Sequence, residues 1–215
     1  MSAPEAVILD AGVGNLGNLQ RALSHLGSSS QITSDPGAIA AARCLLLPGV
    51  GAFRPPRETL RGPLEAALKR AVAEGAWLLG ICVGFQLLFE RGEEFGTTDG
   101  LALLEGSVTR LPETVALPHI GWNRLDVLPC QDQPEQQNQP DALVEGLDGA
   151  YFYFVHSFAP EGVPEKLTLA TAQHGRCFPA VAGKGRVLGT QFHPEKSGAA
   201  GLRLLANFLE IVDER

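Results

Sequence analysis

No C-x-x-C pair occurs in this chain, and its four cysteines, Cys44, Cys82, Cys130 and Cys177, lie far apart. That argues against a zinc knuckle and against a disulfide framework, and leaves reduced thiols of the kind found in a cytosolic protein. No cluster of Lys and Arg forms a basic stripe, and the net charge is −7. Nucleic acid is therefore not expected as the main partner, and the acidic balance serves solubility. Long apolar runs are missing as well. The run from Ala6 to Leu9 is too short for a signal sequence or a membrane span, and Met1 to Glu5 bring no basic flank. A cytoplasmic location with no membrane contact is expected. Aromatic residues are few, at 7%. Neither an internal repeat nor a linker interrupts the 215 residues, so 1–215 is expected to be one domain with a substantial core. No residue pattern asks for a metal or a cofactor.

What is present is an alternation of short apolar runs with helical patterns. Ala6 to Leu9 reads as a buried strand, and Asp10 to Gly14 as a glycine-rich turn. Leu16, Leu19, Ala22, Leu23 and Leu26 then recur at helical spacing up to Gly27. Cys44 to Leu47 reads as a second buried strand stopped by Pro48-Gly49, residues 58–73 as one helix, and Trp77 to Ile81 as a third strand. This predicts an α/β fold with a mostly parallel central sheet and helices on both faces. The second half is more β-like, with strands at 108–111, 151–155, 167–172 and 187–191 and a closing amphipathic helix at 202–212. Residues 131–141, rich in Gln and Pro without periodicity, read as an exposed loop. Ligands on such sheets bind at the carboxyl ends of the strands, where the glycine-rich turns lie.

Cys82 stands at one of those turns, in Gly80-Ile81-Cys82-Val83-Gly84. Strand, tight turn and helix-like 85–89 make a nucleophile elbow, with glycines giving the strained turn room. The sulfur is expected to be exposed above the sheet edge beside a helix N-terminus, which favours a thiolate over the free thiol of pKa about 8.5. A cysteine nucleophile needs a base, and the base an orienting partner. His193-Pro194-Glu195 supplies both: in extended chain His193 and Glu195 share a side, so the imidazole can face Cys82 while the carboxylate backs its other nitrogen. Pro48-Gly49-Val50-Gly51 ends beside the elbow, so the N–H groups of Val50 and Val83 can meet a developing oxyanion, each such donor being worth about 3 kcal/mol. Gln86, one helical turn beyond Cys82, lies on its side. These residues alone also admit a stand-alone cysteine hydrolase, such as a peptidase, or a binding module that keeps only the fold.

Six blocks, in order along nearly the whole chain, narrow the choice. They are 10–16, 47–53, 80–84, Pro118-His119-Ile120-Gly121-Trp122-Asn123, Tyr153-Phe154-Val155-His156-Ser157 and 189–197. Together they resemble the class I, triad-type glutamine amidotransferases. The resemblance implies the family's three-layer fold and a glutaminase in which Cys82, His193 and Glu195 hydrolyse L-glutamine. It places the substrate at Gly51, Gln86 and Ser157. It further implies a heterodimer in which ammonia passes to a (β/α)8-barrel cyclase subunit, with Asn15, Asn18, Trp122 and Lys196 at the shared surface. The sequence departs from the pattern at Ala11 and Phe158, where tyrosine is common, at Phe85, where methionine is common, and at His174, where an aromatic is usual.

Overall fold

A computed structural model describes residues 6–129 and 140–213. The expected loop at 131–141 falls almost wholly outside them, as does Cys130. Four strands open the chain: β1 (Ala6–Leu9), β2 (Ser30–Thr33), β3 (Cys44–Gly49) and β4 (Trp77–Cys82). They alternate with helices α1 (Leu16–His25), α2 (Pro36–Ala41), α3 (Arg54–Leu60) and α4 (Pro63–Ala73). Among the described residues the main sheet has eight strands, in the order β2-β1-β3-β4, then Val187–Thr190, Arg176–Lys184, Thr168–His174 and Asp126–Val127. The first five are parallel and the last three antiparallel.

The chain steps outward from β1 to β2, then back past β1 to β3 and on to β4. Right-handed crossovers taken in opposite directions put α1 on one face and α2 and α4 on the other. α2 accordingly packs on α4, while α1 packs on the closing helix Gly198–Asp213. β1, β3 and β4 are buried along their whole length. That is why they read as unbroken apolar runs rather than alternating ones. Among the described residues, no helix is long and apolar enough to cross a membrane.

Several local expectations need correcting. The single helix expected at 58–73 is two helices, because Gly62 takes φ 80° and Pro63 starts a new first turn. β3 runs through Pro48 and Gly49 instead of stopping before them. Pairing with β1 ends at Leu46, while pairing with β4 continues to Gly49 opposite Cys82. The proline thus sits where one neighbour has already ended and its missing N–H disturbs only an edge. The helix after Cys82, α5 (Val83–Gln86), is one turn long. By contrast α1 ends at Gly27 as expected. Gly27 has φ 80°, its N–H bonds to Ser24 O, and Ser28 N–H bonds to Leu23 O, the paired closure that a left-handed glycine permits.

The elbow is seated by glycines. A Cβ on Gly84 would run into the Leu47 carbonyl, and one on Gly189 into the Phe85 ring. A Cβ on Gly80 would lie 2.8 Å from Phe85 Cα, and one on Gly49 2.8 Å from Gly84 N. The α5 turn therefore lies directly on β3, β4 and the strand Val187–Thr190. Gly84→Ala should lower stability by about 3 kcal/mol through backbone overpacking. Gly17→Ala, on α1 with only Arg21 Nη1 nearby at 3.6 Å, should be neutral or stabilising by up to about 1 kcal/mol. Urea midpoints of the two variants check this; equal midpoints would contradict the seating.

Candidate active site

Cys82 has φ 54° and ψ −111°, a region that an L-residue occupies only when its surroundings hold it there. The residue is buried, not exposed as the sequence suggested, and its sulfur is reached through a cleft of about 560 Å³. Gly14 and Asn15 from the turn after β1, Val50 and Gly51 from the turn after β3, and Cys82, Val83 and Gln86 from the elbow all line the cleft. Ser157, His193 and Lys196 line it too. Since α5 is a single turn, its dipole is short, and local N–H groups carry more of the electrostatics at the sulfur.

His193 follows the end of the central strand Val187–Thr190. Its N–H bonds to Tyr153 O at 3.0 Å. The Ser197 hydroxyl donates to His193 O at 2.6 Å and accepts from Tyr153 N–H at 3.0 Å. The histidine backbone is thus clamped to the strand Tyr151–His156. Glu195 Oε1 accepts from His193 Nδ1 at 2.8 Å, and both side chains are buried. The contact arises differently from the sequence argument. Pro194–Lys196 form a 3-10 turn, not an extended segment, and that turn folds the carboxylate back under the ring. His193 Nε2 and Glu195 Oε2 are buried without a hydrogen-bond partner. Burial alone would lower the His193 pKa, but the nearby Cys82 sulfur and its charge, and then the hydrogen bond and charge of Glu195, outweigh it and raise it to about 9. The arrangement is a thiol, a base that favours its charged form beside a thiolate, and a carboxylate fixing the base's tautomer.

The other expected positions divide. Gln86 is buried with its amide nitrogen occupied, donating to Phe158 O at 2.9 Å and Gln191 Oε1 at 3.1 Å; only its oxygen is left for a ligand. Asn15 caps α1 by accepting from Asn18 N at 3.4 Å. Asn18 lies outside the cleft, in a neighbouring hollow with Arg21, Glu195 and Lys196. Trp122 is 57% exposed on the strand His119–Arg124, 6.3 Å from the Tyr153 ring, over which Lys196 Nζ lies at 5.9 Å. These three form a row leading to the cleft mouth. Sequence reasoning missed Glu94, which lines the cleft and accepts from Phe53 N–H at 2.8 Å. It also missed Ser197 and Gln191. Gln191 and Ser197 sit within the 189–197 block, whereas Glu94 lay in a turn with no distinguishing pattern. Among the described residues no group of His, Cys, Asp and Glu is arranged to hold a metal ion.

Comparison with known proteins fits this geometry. The family model "Glutamine amidotransferase class-I" matches residues 7–212. The chain is 46% identical to imidazole glycerol phosphate synthase subunit HisH of Symbiobacterium thermophilum, over 96% of this chain and 93% of the relative. It is also 46% identical to the protein of the same name from Methanosarcina barkeri, over 95% and 98%. Among solved structures it resembles a glutamine amidotransferase (TM-score 0.73, 23% identity, 96% and 98% covered) and PurLQS from Thermotoga maritima (TM-score 0.74, 18% identity, 97% and 98% covered). At those identities the likeness concerns the fold.

The histidines give this fold a two-sided pH dependence. His193, raised to about 9, stabilises the fold fully below its ordinary 6.5, and that contribution is lost as pH rises through 9. Burial lowers His119 to about 4, helped by the charge of His174, and lowers His156 to about 3. Each must be neutral in the fold, so stability falls as pH drops below 6.5 toward those values. The urea midpoint should fall on both sides of pH 6.5. His193→Gln should flatten the alkaline limb, and His156→Asn should make the acid limb shallower. Unchanged limbs in the two variants would contradict the assignment.

Proposed function

The chain belongs to the class I glutamine amidotransferases, and from that membership we propose that it is the glutaminase subunit of an imidazole glycerol phosphate synthase. The single observation carrying this reading is the buried Cys82, His193 and Glu195 constellation at the base of a cleft, in a chain 46% identical to named HisH proteins over nearly its whole length. The match over residues 7–212 supports treating 1–215 as one glutamine amidotransferase domain.

In this reading the Cys82 thiolate attacks the side-chain amide carbon of L-glutamine. His193 Nε2, the orphaned nitrogen, gives its proton to the leaving ammonia as the C–N bond breaks, and a glutamyl thioester remains. His193 then takes a proton from water, which attacks the thioester and releases glutamate and the sulfur. The substrate's ammonium group suits the Gln86 oxygen and the Glu94 carboxylate, with Gly51 and Ser157 completing the contacts. The oxyanion is met by Val83 N–H, in the first turn of α5, and by Val50 N–H. The pairing of Gly49 with Cys82 brings the Gly49–Val50 peptide, which carries that N–H, to the elbow. Gly51, the next glycine of the turn, has φ 84° and nothing within 4 Å of where a Cβ would stand, which leaves the turn room for the Gly49–Val50 peptide to flip.

Ammonia released into water would be protonated and lost as a nucleophile. It passes instead to a (β/α)8-barrel cyclase partner, which uses it to form imidazole glycerol phosphate and aminoimidazole carboxamide ribotide in histidine biosynthesis. The partner docks as a heterodimer over Asn15, Asn18, Trp122 and Lys196, in the cytoplasm. An exposed aromatic such as Trp122 suits the centre of such an interface.

Cys82→Ala should abolish glutamine-dependent synthesis in the assembled enzyme and leave synthesis from ammonium salt intact. Loss of both activities would contradict a separable ammonia source. The isolated chain should turn over glutamine slowly, because the Gly49–Val50 peptide awaits the partner. Full turnover without a cyclase, measured as glutamate release, would favour a stand-alone hydrolase.

A further inference from the structure

From the sulfur runs a chain of mostly buried polar side chains, of which the reaction scheme uses only the Gln86 oxygen. Gln191 is fully buried, and its side-chain nitrogen lies 3.9 Å from Cys82 Sγ. Its side-chain oxygen lies 3.1 Å from Gln86 Nε2, which is also 2.9 Å from Phe158 O. His156 Nδ1 lies 2.8 Å from the same carbonyl. His156 Nε2 lies 3.0 Å from His119 Nδ1, and His119 Nε2 lies 3.2 Å from Asn123 Nδ2. Asn123 Nδ2 also donates to Gln173 O at 2.9 Å.

One carbonyl fixes the direction of every bond in this run. Phe158 O can only accept, so the Gln86 atom facing it is the amide nitrogen and the His156 Nδ1 facing it carries a proton. Gln86 then donates its second hydrogen to Gln191, which must present oxygen. The Gln191 atom at the sulfur is therefore the nitrogen, a donor. On the other side His156 Nε2 accepts from His119 Nδ1–H, and His119 Nε2 accepts from Asn123. Both imidazoles are neutral in this pattern. The five side chains satisfy one another with no alternative orientation, so the amide at the sulfur cannot turn without breaking the run.

We infer that Gln191 is a positioning residue for the nucleophile: its amide N–H, held by Gln86, donates to Cys82 Sγ and fixes the sulfur from one side, leaving its other side to His193 and the ligand. A donor at sulfur stabilises the thiolate over the thiol. It also ties the nucleophile to Gln86, itself a residue lining the cleft, so that occupancy of the cleft bears on the sulfur through two side chains. The other ionisable groups facing Cys82 are His193, backed by Glu195, and, across the cleft, Glu94, Lys196 and His156. This inference rests on the glutaminase reading for its role in turnover, although its first readout needs no substrate.

Gln191→Met keeps the length of the side chain and removes both donor and acceptor. The rate of iodoacetamide alkylation at Cys82, followed by peptide mass in the assembled enzyme, should show its pH inflection raised by roughly one unit. The kcat for glutamine should fall on the order of tenfold to a hundredfold, with KM within about threefold, because Gln86 keeps its bond to Phe158 O. A merely structural Gln191 would lower the unfolding temperature and leave the alkylation profile in place; that result in a folded variant overturns the inference. If Gln191→Met does not fold, the unmutated chain decides: the side-chain amide nitrogen signal of Gln191 should move with titration of the thiol, and a stationary signal overturns it. An alkylation shift in an enzyme that hydrolyses no glutamine would leave the positioning role standing and sink the glutaminase reading instead.

Discussion

The close approach of one turn to three strands governs this molecule. Cys82 holds a positive φ because the turn after it is pressed onto β3, β4 and the strand Val187–Thr190, and that contact exists only where Gly49, Gly80, Gly84 and Gly189 lack side chains. A strained backbone persists when its surroundings over-determine it. Here the surroundings are the centre of the sheet, the stiffest part of an α/β fold. The sulfur is consequently placed by the core, whereas its partners arrive on connecting segments. Those segments must be fixed in some other way, and the Ser197 hydroxyl does so by joining the His193 loop to Tyr153.

The same residue type plays opposite electrostatic parts a short distance apart. His193 is buried, yet a thiol and a carboxylate favour its charged form. His119 and His156 are buried among rings, with Phe154 stacked on His119 at 5.0 Å and Phe178 at 5.2 Å from His156, and no carboxylate faces either in a hydrogen bond. Desolvation wins for that pair and loses for His193. Neutral imidazoles can each donate at one nitrogen and accept at the other, as an ordered hydrogen-bonded run requires. A charged imidazole only donates, as a base that has just taken a proton must. The fold keeps both kinds within one site by supplying a counter-charge to one and withholding it from the others.

Much of this was legible in the sequence, for reasons that differ by element. β1, β3 and β4 are buried on both faces, so their apolar runs are unambiguous. The elbow announced itself through glycines whose spacing has a steric cause. β2 was not legible, because Ser30–Thr33 is a polar edge strand with no apolar run. α2 was missed although Asp35 caps it and Pro36 opens it; six residues with one buried isoleucine leave too little periodicity. Arg176–Lys184 hid behind Pro179 and Gly183, which ordinarily speak against a strand. At the site, Cys82, His193 and Glu195 were readable as residue types in pattern, whereas Glu94 and Gln191 acquire meaning only from what surrounds them. The expectation that Glu195 reaches His193 along extended chain named the right pair for the wrong backbone: a 3-10 turn makes the contact.

Two polar atoms in this site contradict the usual economy of folded proteins. His193 Nε2 and Glu195 Oε2 are buried without hydrogen-bond partners, and each such atom costs roughly 1–3 kcal/mol. Other buried polar side chains nearby show that the fold is able to avoid that cost. Gln86, Gln191, His119, His156 and Ser197 are all engaged. The unengaged nitrogen therefore marks a place that the protein alone does not complete. It faces the cleft beside the sulfur, where a ligand's reacting atoms would sit between Cys82 and the base. In the proposed glutaminase reaction, a partner that is absent until substrate arrives contributes its bond only then, so that stabilisation is reserved for the reaction and not for the resting fold.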